Sequence, residues 1–128
     1  MRLLLDTHAF LWWIADDERL SSRAAALIAD GRNQVFVSAV SAWEIVVKMG
    51  LGRVELPEPV DRFVPAQLEA NGFSTLPVHL RHALGLAMLP EVHRDAFDRM
   101  LVAQAVAEGL TLVSGDRVMR GYPVAVEW

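Results

Sequence analysis

An α/β fold, a three-layer α/β/α sandwich on a mainly parallel central sheet, is predicted by three features of this sequence. Short apolar or β-branched runs alternate with helical patterns along the whole chain. One strand-like run ends at an acid, Asp6, and another has Asp116 just past it, which is where an open parallel sheet presents its ligand-binding edge. The chain has 128 residues of which 53% are hydrophobic, enough for one continuous core, so residues 1–128 are expected to form a single domain.

The elements follow in order. Residues 2–5 (Arg-Leu-Leu-Leu) make a short buried strand ending at Asp6. Thr7 is placed to cap a helix over residues 8–14, with Asp6 an alternative cap, and Asp16-Asp17-Glu18 form a polar turn. Ser21-Ser22 open a helix over residues 23–30, terminated at Gly31. Residues 34–38 are strand-like, and Ser41 is expected to cap a helix over residues 42–49 that Gly50 and Gly52 close. Prolines 57 and 59 lead into a helix over residues 60–70, ended by Asn71-Gly72.

A short strand is expected within residues 73–78, and a helix over 79–88 that stops before Pro90. Residues 96–108 carry the strongest helical pattern, closed by Gly109. Residues 110–114 are a buried strand, 116–120 a turn of helix and 123–126 a last strand. No internal repeat or linker is visible.

Composition narrows the function. Cysteine is absent, which excludes disulfides, thiolate metal sites and cysteine nucleophiles. No apolar run approaches the roughly 18 residues of a membrane span, and Asp6 interrupts the opening too early for a secretory signal, so a cytoplasmic protein is expected. Twelve basic residues against sixteen acids give a net charge of −4, which at face value disfavours a nucleic-acid partner. Gathering Asp6, Glu44, Asp95, Asp98 and Asp116 around metal ions would leave eleven acids against twelve bases, so net charge does not decide the matter. Eleven of the twelve bases are arginines, whose planar fork suits phosphate, although genome composition produces the same bias.

Each acid has a structural explanation. Asp98 lies in the first turn of its helix, where the dipole favours it, and Asp95 is three residues earlier. Glu44 precedes Lys48 by four residues, the favourable order for a helical ion pair. Asp6 and Asp116 suit a cap and a turn. Together, however, the acids supply what metal-dependent phosphodiester chemistry requires: hard oxygen donors for Mg²⁺ or Mn²⁺, which generate a hydroxide nucleophile and screen charge on phosphate. His79 and His82 are read as surface or capping residues rather than zinc ligands. His8 is near the acids and His93 is placed to orient the loop before the long helix. Trp12, Trp13 and Trp43 are read as core residues rather than base-stacking platforms.

The residues also carry a resemblance. Leu3-Leu4-Leu5-Asp6-Thr7-His8, Ser38-Ala39-Val40-Ser41-Ala42-Trp43-Glu44-Ile45, His93-Arg94-Asp95-Ala96-Phe97-Asp98-Arg99-Met100-Leu101 and Thr111-Leu112-Val113-Ser114-Gly115-Asp116 occur in that order. The chain thereby resembles the PIN-domain ribonucleases, and within them the VapC-type toxins of type II toxin–antitoxin systems. The resemblance implies a PIN-like nuclease domain and a metal-dependent endoribonuclease that hydrolyses RNA phosphodiester bonds with Mg²⁺ or Mn²⁺.

By position it makes Asp6, Glu44, Asp98 and Asp116 the catalytic metal-binding acids and Asp95 an accessory ligand, with Thr7 and Ser114 supporting the carboxylates. Arg94, Arg99 and Arg117 are candidates for phosphate contact through proximity alone. The resemblance further implies a cognate antitoxin and a homodimer or toxin–antitoxin hetero-oligomer. Ala96 and Ser114 stand where close relatives often have Pro and Thr, neither of which bears on the chemistry. The alternative is a catalytically inactive PIN-like subunit that binds RNA or protein. A response-regulator receiver would need paired acids after the first strand and a lysine after a late one. A haloacid-dehalogenase-type phosphatase would need an acid where His8 stands.

Overall fold

The computed structural model describes residues 1–128. Five strands, β1 (Arg2–Leu5), β2 (Gln34–Ser38), β3 (Ser74–Leu76), β4 (Thr111–Val113) and β5 (Val126–Glu127), form one sheet in the order β3-β2-β1-β4-β5. Every pairing is parallel, with Leu5 beside Val37 on one side and Val113 on the other. The helices are α1 (Thr7–Ile14), α2 (Ser22–Ala29), α3 (Ala39–Gly50), α4 (Val60–Asn71), α5 (Leu80–Gly85) and α6 (Ala96–Glu108).

Alternation along β1 builds the layers, because successive strand side chains point to opposite faces. Leu3 and Leu5 join Phe10, Ile28, Ile45 and Val64 in one core, while Leu4 joins Leu101, Val102, Leu112, Met119 and Tyr122 in the other. The expected three-layer sandwich with a parallel sheet is the observed one. From β1 the chain winds outward through β2 and β3, then returns to add β4 on the other side. The strand order therefore reverses at β1, and the crevice beyond the carboxyl ends of β1 and β4 is the place where such sheets bind ligands.

Local details differ from the sequence expectations. Asp6, not Thr7, caps α1, its carboxylate accepting from the Ala9 N–H at 2.8 Å. Helix α3 begins three residues before the expected start, because Ser38 caps it by accepting from Val40 N–H, which frees Ser41 for the helix interior. The helix expected over residues 79–88 splits into α5 and a 3₁₀ turn, Leu86–Met88. The last strand falls at Val126–Glu127 rather than 123–126, since Pro123 has no N–H to give a ladder. Helix α6 closes at Gly109, whose φ of 65° suits a residue without a Cβ.

The tryptophans divide. Trp13 packs against the first core, but Trp43 is 57% exposed and meets Phe97 edge-on, and Trp12 joins neither core. The core reading is therefore corrected for Trp12 and Trp43: a short helix against a sheet buries one stripe only, and these two lie off it.

A buried polar chain fastens α6 and α5 to the sheet. Ser38 donates to Gln104 Oε1 at 2.5 Å, and Gln104 Nε2 donates to the Pro77 carbonyl at 3.1 Å. His82 is fully buried, its Nδ1 accepting from the His79 N–H while Nε2 lies 3.0 Å from Glu108. Its capping role is as expected, but it is no surface residue. Gln104→Leu would leave the Ser38 O–H without its acceptor and the Pro77 carbonyl without its donor, and we expect a loss of about 2–4 kcal/mol in urea unfolding. A loss under about 0.5 kcal/mol would contradict this role for the network.

Candidate active site

The site grows from the carboxyl edge of the central strand. Asp6 follows β1, its N–H donating to the Val113 carbonyl at 3.0 Å, so its backbone is locked onto the neighbouring strand. Only 5% of the residue is exposed. Burial raises its pKa, the Ser114 hydroxyl, the Ala9 N–H and His8 oppose that rise, and Glu44 adds to it. Thr7, the first residue of α1, reaches away from the sheet to α3, with Oγ1 2.6 Å from Glu44 Oε1 and 2.9 Å from Ser41 Oγ.

Glu44 is buried on α3, where Lys48 pairs with its other oxygen one turn later. The Glu44–Lys48 pair anticipated from the spacing is present, but the burial of Glu44 makes it more than a surface pair. Thr7, itself bonded to Ser41, holds the carboxylate in place against α1.

Asp98 comes from α6, on the side that also carries the buried Leu101, Val102 and Ala105. Its pKa is pushed up to about 6, first by burial and then by the charges of Asp95, Glu44 and Asp6, against the opposing hydrogen bond from His93. Three carboxylates from three elements (Asp6, Glu44 and Asp98) are thus within electrostatic reach of one another. His93, in the loop before α6, also reaches the acids: Nε2 is 3.1 Å from Asp98 Oδ2 and Nδ1 is 2.6 Å from the Tyr122 hydroxyl. Asp95 caps α6 by accepting from the Asp98 N–H, and it faces solvent.

Asp116 follows β4 and borders the same cleft as Asp6. One of its oxygens accepts from the Val118 N–H, while the Ser114 hydroxyl accepts from its own N–H. Ser114 thus holds the Asp116 backbone, and the same hydroxyl favours the ionised form of Asp6. Of the three arginines, Arg94 and Arg117 are exposed. The Arg99 guanidinium donates instead to the Pro90 carbonyl and the Tyr122 hydroxyl, fastening the loop before α6.

With this geometry in view, comparison with known proteins is decisive. The PIN domain family model matches residues 3–124. The chain belongs to the PIN-domain family. It is 31% identical over 121 residues to Ribonuclease VapC22 of Mycobacterium tuberculosis, covering 94% of this chain and 91% of that protein. Among solved structures, VapBC2 from Rickettsia felis bound to a promoter DNA fragment superposes with a TM-score of 0.73 at 16% identity, covering 100% of this chain and 99% of that one. FitAcB from Neisseria gonorrhoeae gives 0.62 at 20% identity, covering 97% and 95%. At these identities the two structures speak for the fold.

The donor set of this PIN domain is all carboxylate, which suits a hard divalent cation such as Mg²⁺ or Mn²⁺. No three of the histidine and acidic side chains are drawn in closely enough to share one ion as they stand. Glu44 is paired instead with Lys48 and Asp98 with His93.

Two features escaped the sequence reading. The His93–Tyr122 link joins residues 29 apart, although the lone tyrosine was a signal. The aromatic cleft beside Asp6 and Asp116 needed the fold, because Trp128 comes from the other end of the chain.

Proposed function

We propose that this PIN-domain protein is a metal-dependent endoribonuclease, the toxin of a toxin–antitoxin pair, acting as a single nuclease domain. The observation that carries the reading is the convergence of Asp6, Glu44 and Asp98, with the Asp98 pKa pushed up to about 6 by burial and by its acidic neighbours. Such a set is unfavourable without a cation and suited to one. Full-length similarity to a protein named a ribonuclease supports the substrate class.

In this reading Asp6 and Asp98 are the principal ligands of Mg²⁺ or Mn²⁺, Glu44 is a ligand or orients the hydrolytic water, and Asp116 completes the set with Asp95 as accessory. The bound ion supplies a water acidic enough to deliver hydroxide at neutral pH and screens charge on the phosphate. Thr7, bonded to Ser41, holds Glu44 in place, and Ser114 holds the Asp116 backbone while favouring the ionised Asp6. His93, braced by Tyr122, fixes the Asp98 carboxylate. Arg94 and Arg117 are free to meet phosphate, whereas Arg99 would have to leave its loop contacts.

The partner side of the proposal rests on the resemblance to VapC-type toxins, with a relative of that name over most of the chain, and on exposed apolar surface. Leu80, Leu84 and Met88 are 76%, 64% and 85% exposed, more than a solitary surface usually displays in one segment. They suit an antitoxin or a second copy of the chain. No helix is long and apolar enough to cross a membrane, and we place the protein in the cytoplasm.

The test is cleavage of total cellular RNA by the purified chain with Mn²⁺ or Mg²⁺. Discrete fragments that disappear with EDTA are the expected result. An absence of cleavage by folded protein free of inhibitor would favour the binding-subunit alternative.

A further inference from the structure

Asp6 and Asp116 form one wall of a cleft of about 400 Å³ whose other walls are aromatic and cationic. The His8 and Trp12 rings stack with centroids 5.4 Å apart and planes at 29°. Trp128 stands 5.9 Å from Trp12, tilted at 60°, and the Arg19 guanidinium lies 5.0 Å from the Trp12 ring centre. Gly115 makes the arrangement possible: a Cβ there would come within 2.7 Å of the Trp128 indole. Trp12 packs into neither core although its neighbours Leu11, Trp13 and Ile14 pack against one, so core packing does not account for its place.

We infer that this cleft receives one nucleobase of single-stranded RNA, on a nucleotide adjoining the phosphate that is cut. The inference rests on the nuclease reading, because Asp6 and Asp116 are shared between the cleft and the proposed metal-binding set. A phosphate held at those acids through a cation puts the neighbouring base within reach of the rings. The walls select the occupant. Two carboxylates repel a bare anion, and flat ring faces favour a planar π-system over an aliphatic side chain. Arg19 is held in place by Asp17 through Nε and one Nη, so its remaining N–H groups, with the His8 ring, offer donors to the polar edge that a base has and a phenyl ring lacks. Stacking is tolerant of base identity, whereas hydrogen bonds to that edge discriminate, so the cleft contributes to the choice of cleavage position.

The experiment uses a short single-stranded RNA containing a mapped cleavage site, with an abasic ribose placed in turn at each nucleotide flanking it. Wild-type protein is expected to lose about 5- to 150-fold in kcat/KM at one of the two positions. Trp12→Ala should show a similar loss on intact RNA and be nearly indifferent to the abasic change, while Trp12→Phe restores most of the discrimination. No abasic penalty in the wild type, or an equal penalty in wild type and Trp12→Ala, would overturn the inference while leaving the nuclease reading intact.

Should Trp12→Ala fail to fold, the wild-type abasic series and Trp12→Phe carry the test. A parallel arm measures binding without cleavage, comparing an oligoribonucleotide with its fully abasic ribose-phosphate analogue by fluorescence anisotropy. Base-dependent binding lost in Trp12→Ala, with no cleavage at all, would keep the pocket and reject the nuclease. Base-independent binding would reject the pocket.

Discussion

Asp98→Asn is expected to abolish RNA cleavage and, in the absence of metal, to make the protein more stable. The two effects have one cause. Ionised Asp98 is held in a partly buried place among acids, which pushes its pKa up to about 6. Its ordinary value is 3.8, so between about pH 4 and 6 the folded chain binds more protons than the unfolded one. Stability from this group therefore falls as pH rises through that window and stays lower above it. The full shift corresponds to about 2–3 kcal/mol. Asparagine removes the charge at nearly constant volume and keeps an oxygen for His93, so a net gain of roughly 1–2 kcal/mol is expected near pH 7.5, or about 3–8 °C in Tm.

Cleavage should fall by more than the roughly 10- to 100-fold that residues behind a metal ligand usually cost. Thermal unfolding in EDTA and cleavage of a defined RNA would measure both. Retained cleavage in a folded Asp98→Asn protein would remove Asp98 from the site. Unchanged or lowered metal-free stability would show that the cluster carries no electrostatic strain.

Millimolar Mn²⁺ or Mg²⁺ is expected to raise the Tm of the wild-type chain, because a cation bound only by the folded state stabilises it by mass action. At a metal concentration one hundred times Kd the gain is about 2.7 kcal/mol, or roughly 8–10 °C in a domain of this size. The sign of the pH dependence is fixed by the raised pKa values of Asp6 and Asp98. Protons compete with the ion for these carboxylates, so the metal-induced shift shrinks as pH falls through about 6. Asp98→Asn should lose most of the shift at every pH. Melting curves indifferent to both metals near pH 7.5 would count directly against the metal reading, whatever the RNA assay shows.

Much of this was legible in the chain itself. The run Leu3-Leu4-Leu5 announces a strand buried on both faces, and the acid after it falls at the sheet's carboxyl edge. Asp98 is conspicuous for standing in a helix whose neighbours are apolar, whereas Glu44 taken alone is explained by Lys48 one turn later. Other features were hidden because local signals were equivalent. Ser38 and Ser41 are both competent caps, and only the pairing of Ser38 with Gln104 from another helix shows how closely the start of α3 is tied to the core. Trp12 and Trp13 are adjacent and chemically identical, yet only Trp13 turns toward the core.

The sequence by itself determined the alternation of strands and helices, the absence of sulfur chemistry and the identity of the acids, since these depend on periodicity and residue type. Only the tertiary structure decided that β4 returns to lie beside β1. That return brings Asp116 to the cleft of Asp6 and carries Trp128 across to Trp12. The physical reason is that strand order is set by which apolar faces can be covered together, a global packing condition that no local stretch of residues encodes.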